Sequence, residues 1–344
     1  MTPNPRTQLA ERHRQLLSTG THLRARDAAA RLAVTEAELV ASGAVGDVTR
    51  LRCEPAAILA DLGAVGTVMA LTRNETTVIE CDGDYGSFVK RGAHALVLDP
   101  QGIDLRLFLS RWASAFAVVM QRGERTLRAL QFFDAHGAAV HKIYLRPAGD
   151  LDAWQALVDR YATEHSLLRI EPPAPAAVPA DDPDVDAFQA GWRALQDTHD
   201  FFPLLRKHRL TRVQALQLAP EGMVEPLLPT AAEELLTDAA SADFPIMTFV
   251  SSPGCVQIRT ADVQTVRRMG TWINILDPGF NLHLRLDRLA AAWLVRKPTK
   301  DGIVSSAEFY DADGELVVQF FGERKEGRAE RAEWRQLLNG LPRA

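Results

Sequence analysis

The sequence predicts an α+β protein made of two duplicated halves, each a large antiparallel β-sheet with flanking helices. Three observations predict it. The first is internal repetition: DLRLFLSRWASAFAVVM (104–120) aligns without gaps to NLHLRLDRLAAAWLVRK (281–297), and LQFFDAHGAAV (130–140) to AEFYDADGELV (307–317), both 177 residues apart. Over 104–140 this gives twelve identities, among them Leu105, Arg111, Ala113, Phe132, Asp134 and Gly137, where ordinary composition supplies roughly two or three by chance. The second is an apolar period of two in the repeated segments, the mark of half-buried strands. The third is order: each half opens with helical periods and continues in strands without strand–helix–strand alternation, which favours α+β over a parallel sheet.

Taken along the chain, 5–43 reads as helical. Leu105, Leu107 and Leu109 then alternate with Arg106, Phe108 and Ser110, and the repeat places Leu282, Leu284 and Leu286 likewise. DAHG and DADG carry turn residues ending in glycine between β-rich runs, so LQFF/AVHKIYL and AEFY/LVVQFF read as hairpins. Trp154, Leu157, Val158 and Tyr161 make an apolar stripe at helical spacing over 151–166. EPPAPAAVPADDPDVD (171–186) is rich in proline, alanine and aspartate and breaks every period, so it reads as a linker between repeats at 1–170 and 187–344. A second helical stretch covers 187–220. Within it Trp192, Leu195, His199 and Phe202 fall at i, i+3, i+7 and i+10, and Pro203 is expected to end or kink the helix near Phe202, leaving His199 in its last turn.

Bulk properties bound the function. The 344 residues are 47% hydrophobic and 24% charged, with a formal net charge of −5. That balance opposes nucleic-acid binding, which draws on a basic excess to displace phosphate counterions. Cys53, Cys81 and Cys255 are far apart and in no metal-binding or disulfide spacing, which fits a reducing cytoplasm. MTPNPRTQLAERHRQLL has no apolar export core, and no run nears the roughly 18 apolar residues of a membrane helix. GxGxxG, P-loop, HExxH and GxSxG patterns are absent.

Among His13, His22, His94, His136, His141, His165, His199, His208 and His283, only His199 lies in a strong aromatic stripe. On pattern alone such a histidine is more often a hydrogen-bonded core residue than a ligand. RKHRLTR (206–212) can be a solvated helix end, part of a DNA-recognition helix, or one wall of a pocket for a small dianion. VRKPTKDG and QFFGERKEG bring Arg296, Lys297, Lys300, Arg324 and Lys325 onto or beside β segments that also hold Phe249, Phe309, Phe320 and Phe321. Scattered lysines are normally surface residues. Cations interleaved with aromatics also suit a flat apolar ligand bearing carboxylates.

MALTRNE (69–75), DLRLFLSRW (104–112), LQFFDAHG (130–137), VHKIYLR (140–146), WRALQDTHDFF (192–202), LDPGFNLHLR (276–285), VRKPTKDGIV (295–304) and QFFGERKEG (319–327) together resemble the cytoplasmic haem-utilisation proteins of the HemS/HmuS/ChuS type, the hemin-degrading factors. The resemblance spans nearly the whole chain. It implies two similar α+β halves with one haem (iron protoporphyrin) held mainly by the second. It also implies His199 as axial iron ligand, Arg106 on the opposite haem face, Arg212, Lys297, Gln319 and Arg324 near the propionates and ring edge, and Phe249 in the apolar wall. A family tyrosine corresponds here to Phe321, which removes a phenolic hydrogen bond. Arg106, aligned with His283 in the other half, would hold a water or oxygen species near the sixth iron position, or bind a propionate. The implied function is intracellular haem utilisation, with two alternatives: oxidative haem degradation that releases iron, using an external reductase, or a carrier that takes haem from an inner-membrane importer to acceptor proteins. A transcriptional regulator using 204–219 is the remotest reading. The implied setting is cytoplasmic, without nucleic acid and without membrane embedding.

Overall fold

The computed structural model describes residues 5–18, 23–164, 168–172, 182–242, 244–324 and 327–344. Most of the expected linker (173–181), His22, His165 and Lys325 lie outside the described residues. The first half runs α1 (Pro5–Ser18), α2 (Ala25–Arg31), α3 (Glu36–Ala41), β1 (Asp47–Leu51), α4 (Pro55–Asp61), β2 (Val68–Arg73), β3 (Thr77–Gly83), β4 (Val89–Arg91), β5 (His94–Val97), β6 (Asp104–Phe108), β7 (Ser114–Arg122), β8 (Arg125–Phe133), β9 (Ala139–Leu145) and α5 (Leu151–Tyr161). The second repeats that order: α6 (Val185–Arg193), α7 (Phe201–His208), α8 (Arg212–Gln217), β10 (Val224–Leu227), α9 (Ala231–Ser241), β11 (Ile246–Ser252), β12 (Cys255–Ala261), β13 (Val266–Met269), β14 (Trp272–Asp277), β15 (Phe280–Arg285), β16 (Ala291–Thr299), β17 (Gly302–Tyr310), β18 (Leu316–Gly322) and α10 (Ala332–Gly340).

The α+β class and the duplication hold to the residue. A shift of 177 carries the bounds of β7, β8 and β9 onto those of β16, β17 and β18. It also carries the register slip at Phe132/Phe133 onto the one at Phe309/Tyr310. The intervening turns are built alike. Asp134 accepts the backbone N–H groups of His136 and Ala138, and Asp311 those of Asp313 and Glu315. Gly137 (φ +79°) and Gly314 (φ +78°) then take the left-handed conformation that side chains resist.

Among the described residues the strands form two nine-stranded sheets. Each half supplies a five-stranded antiparallel run of equivalent order, β1-β7-β8-β9-β2 and β10-β16-β17-β18-β11. It also supplies a three-stranded one, β4-β5-β6 and β13-β14-β15. Contacts divide the chain into two compact units. The first comprises Met1–Arg73, Ile79–Pro173 and Ser251–Gln257, and the second Asn74–Val78, Ala174–Val250 and Ile258–Ala344.

In the second unit α6, α7 and α8 cover one face of the β16–β17 region, where Phe188, Trp192, Phe201, Leu204, Leu205 and Leu216 meet Val295 and Tyr310. The stretch 187–220 is helical as expected, but its first break comes before His199 and not near Phe202. It breaks into α6, a 3-10 turn at Thr198–Asp200, α7, and α8 after Arg209 adopts a left-handed φ of +51°. Likewise 5–43 is three helices and 151–166 stops at Tyr161. Pro203 begins a helix instead of ending one. In the first turn of α7 its missing N–H has no intrahelical partner to lose.

Candidate functional site

Strand pairing fixes which side chains share the helix-covered face of the second sheet. Trp293 pairs with Glu308, Val295 with Ser306 and Lys297 with Val304; Glu308 pairs with Gln319 and Ser306 with Phe321; Gln319 pairs with Phe249 and Phe321 with Met247. Directly paired residues project to the same side and alternate residues along a strand do too, so Lys297, Ser306, Glu308, Tyr310, Gln319, Phe321 and Phe249 form one surface. Phe309 and Phe320 fall on the opposite side and are buried, so those two aromatics belong to the core and not to this surface.

At the centre is a buried charge cluster. Glu308 is fully enclosed; Lys297 Nζ donates to its Oε1 at 2.9 Å, and Arg212 Nε and the Tyr310 hydroxyl donate to its Oε2 at 3.2 and 2.6 Å. Ser306 Oγ adds a bond to Oε1 at 3.1 Å. Burial alone would push the Glu308 carboxyl up, but Lys297 and Arg212 beside it hold it well below the ordinary carboxylate range. Burial opposes the Arg212 charge as well, and Glu308 and Tyr310 more than offset that. Burial, with Arg212 beside it, pushes the Lys297 ammonium below the ordinary lysine range against the pull of Glu308; with both cations protonated the cluster carries one positive charge more than Glu308 offsets. The Phe201 ring lies against both, with Lys297 Nζ 4.6 Å and Arg212 Cζ 5.7 Å from its centroid. Arg212 Cζ is also 5.2 Å from the Phe202 ring. Lys297 is therefore an interior residue, where lysine composition suggested a surface one.

Apolar side chains beside Arg212 and on the same sheet face are left partly uncovered. Phe202 is 58% exposed, although its place in the stripe predicts that it packs a helix to the core; Phe201 takes that role at 1%. Phe249 and Phe321 are half-buried and meet at a tilt of 60°, with 5.0 Å between centroids. Arg324 is exposed, and its Nη1 donates to Thr198 Oγ1 at 3.3 Å, tying the end of β18 to the turn that carries His199.

His199 differs most from the periodicity reading. Its side chain is 89% exposed, in the 3-10 turn before α7, not on a buried stripe. Ring Nδ1–H donates to Asp197 Oδ1 at 2.5 Å, and that oxygen also accepts the His199 backbone N–H at 2.8 Å. These bonds, the backbone one first, hold the Asp197 carboxyl below its usual value. With the proton on Nδ1, the Nε2 lone pair faces outward, the arrangement of a metal-ligating imidazole.

Seven of the eight residues singled out from the sequence, His199, Arg212, Phe249, Lys297, Gln319, Phe321 and Arg324, belong to the second unit. Arg106 belongs to the first, on β6, half-buried and ion-paired with Asp104. His283, its counterpart in the repeat, donates from Nδ1 to Asn274 Oδ1 at 2.7 Å. Sequence reasoning missed Glu308, Tyr310, Ser306 and Asp197. Alternation along VSSAEFY groups Ser306, Glu308 and Tyr310, but nothing local says that the face is covered.

The residues present fit a haem. One exposed imidazole suits an iron whose other ligands come from a macrocycle, uncovered aromatics suit its apolar faces, and surplus buried positive charge suits its carboxylates. Comparison with known proteins gives the family. A protein-family model described as the haemin-degrading HemS.ChuX domain matches residues 33–161 and again 209–341. The hemin transport protein HemS of Yersinia enterocolitica is 39% identical over 318 residues, 92% of each chain. The crystal structure of holo-PhuS, a heme-binding protein from Pseudomonas aeruginosa, superposes with a TM-score of 0.95 at 43% identity, covering 99% of this chain and 100% of that one. ChuS, an Escherichia coli heme oxygenase, gives 0.89 at 36% identity, covering 97% and 99%.

Proposed function

Because the chain belongs to the haemin-degrading HemS/ChuX family, we propose that it binds haem through His199 on the second half and serves haem utilisation by oxidative breakdown that frees the iron. The carrying observation is the exposed imidazole whose Nδ1 is tied to Asp197, leaving Nε2 free to donate its lone pair to iron. Phe202, Phe249 and Phe321 would cover the apolar ring, at about 25 cal/mol per Å² removed from water. Arg212 and Lys297, preassembled on Glu308, would meet the propionates, with Gln319 and Arg324 at the ring edge. Arg106 would hold a water or oxygen species. Haem supplies the iron at which oxygen reacts with its own ring; the protein orients the ring and excludes competing reactions. Electrons would come from an external reductase and haem from an inner-membrane importer, in the cytoplasm. Support for degradation is the heme oxygenase description of one relative, while another is described only as heme-binding.

The test loads the full chain with hemin, with His199→Ala beside it, then adds a physiological reductant under air with catalase present. Expected are a Soret band that the substitution shifts or weakens, and loss of that band with chelatable iron and a linear tetrapyrrole. A persistent band with transfer of haem to an apo-acceptor overturns degradation in favour of the carrier. An unaltered band in His199→Ala overturns the ligand.

A further inference from the structure

The turn presenting His199 carries a carboxylate whose geometry exceeds what a helix cap requires. Asp197 caps the 3-10 turn by accepting the His199 backbone N–H at 2.8 Å, and in return the Asp197 N–H donates to Asp200 Oδ2 at 3.0 Å, closing the turn from both ends. Those two bonds suffice for the cap. Yet the same Asp197 oxygen also takes the imidazole Nδ1–H, at 2.5 Å, on a ring that is otherwise 89% exposed. An exposed imidazole held by nothing else would rotate freely. Here one charged acceptor selects its tautomer, fixes its plane and turns Nε2 away from the turn.

We propose that Asp197 is the positioning residue of the iron ligand: it fixes Nε2 as the donor atom and strengthens the imidazole as a donor, favouring ferric over ferrous iron. This rests on the reading of His199 as ligand. The physical reason is that a hydrogen bond from the non-ligating nitrogen to a carboxylate pushes electron density toward the other nitrogen, and the higher oxidation state gains more from it.

Two substitutions separate this role from capping. Asp197→Asn keeps an oxygen for both N–H groups but removes the charge, and Asp197→Ser keeps the backbone cap but is too short to hold the ring. The full chain and both variants are loaded with hemin and compared by spectroelectrochemical titration and by resonance Raman of the ferrous form. The expected result for Asp197→Asn is a ferric affinity weakened about tenfold relative to ferrous. For a one-electron couple that is an upward shift of about 59 mV, with the iron–imidazole stretch moving to lower frequency. Asp197→Ser should shift both further, or lose hemin while keeping native circular dichroism. Wild-type potential and stretch in both variants would reduce Asp197 to a cap and overturn the proposal, as would failure of both capping variants to fold. Failure of the underlying reading looks different: His199→Ala would retain the wild-type Soret band and stretch.

Discussion

Phe201 and Phe202 are adjacent in the chain and opposite in environment, 1% and 58% exposed. Truncating the buried ring empties space beside Trp192, whose centroid is 4.9 Å away, and removes the aromatic face beneath Lys297. Phe201→Ala should therefore lose about 3–5 kcal/mol of stability in urea melts. Phe202→Ala should leave stability within about 0.5 kcal/mol and instead weaken hemin binding in absorbance titrations. If the two melts fall together, Phe202 is core and the open face is misread. Glu308 gives a second test at this scale. Glu308→Gln leaves Arg212 and Lys297 enclosed without their countercharge, and breaking a buried pair from one side destabilises by about 3–5 kcal/mol. Adding Lys297→Met should recover part of that; no recovery would mean that the cations are not the reason. Patterning singles out His199 and Lys297 and puts Arg212 in a basic run, but only the long motifs tie them to one ligand, and Asp197 and Glu308 are not legible at all. A charge on an alternating strand looks the same whether its face meets water or a helix.

Strands are easier to read than helices. The period of two survives in any sheet with one covered face, and the DAHG and DADG turns are local chemistry, so β6, β15 and the hairpins β8–β9 and β17–β18 stand where the sequence puts them, except that Leu109, Ser110 and Leu286 fall in 3-10 turns just past β6 and β15. Proline is ambiguous by nature: its fixed φ and missing N–H suit the first turn of a helix as well as the residue after one, so Pro203 cannot say on which side α7 lies. β9 supplies an element-scale prediction. Its His141 is enclosed, with Nε2 2.6 Å from the Tyr85 hydroxyl and Nδ1 2.9 Å from Thr72 Oγ1. Burial pushes its pKa down to about 3. The unfolded chain takes up that proton near pH ~6.5 and the folded one does not until far lower, so the unfolded state binds more protons in between. The resulting stability is complete above the unfolded value and drains as pH falls toward 3. His141→Gln should thus show a shallower decline of urea midpoint from pH 7 to 4 than the parent. Parallel declines would mean that His141 is protonated in the folded protein or does not matter to it.

At the scale of the molecule, the duplication preserved the frame and let the faces diverge. Identities concentrate where turns and core demand them, which is why the repeat stands out in the amino-acid sequence itself. Shifted back by 177, Arg212, Lys297, Glu308, Tyr310, Phe249 and Phe321 of the second half become Thr35, Met120, Gln131, Phe133, Thr72 and Tyr144 of the first. The Arg212–Lys297–Glu308 set and the facing phenylalanine pair are gone, although Arg26 and Arg73 still stand close enough to Glu36 to help Lys142 hold its carboxyl down. In their place the first unit holds Lys142 against Glu36 at 2.5 Å, Lys142 being the counterpart of Gln319. His22 is the counterpart of His199 and lies outside the described residues. A half that has Thr72 and Tyr144 where the other has Phe249 and Phe321 offers less apolar surface to a porphyrin ring, so the halves are predicted to be unequal. Hemin titration of the full chain should saturate at one equivalent, and His199→Ala should abolish the tight phase. His22→Ala should leave both the stoichiometry and the Soret position unchanged. A second equivalent that survives His199→Ala and disappears in His22→Ala would show that the first half kept a working site, and that the divergence of its strand faces was not what decides haem binding.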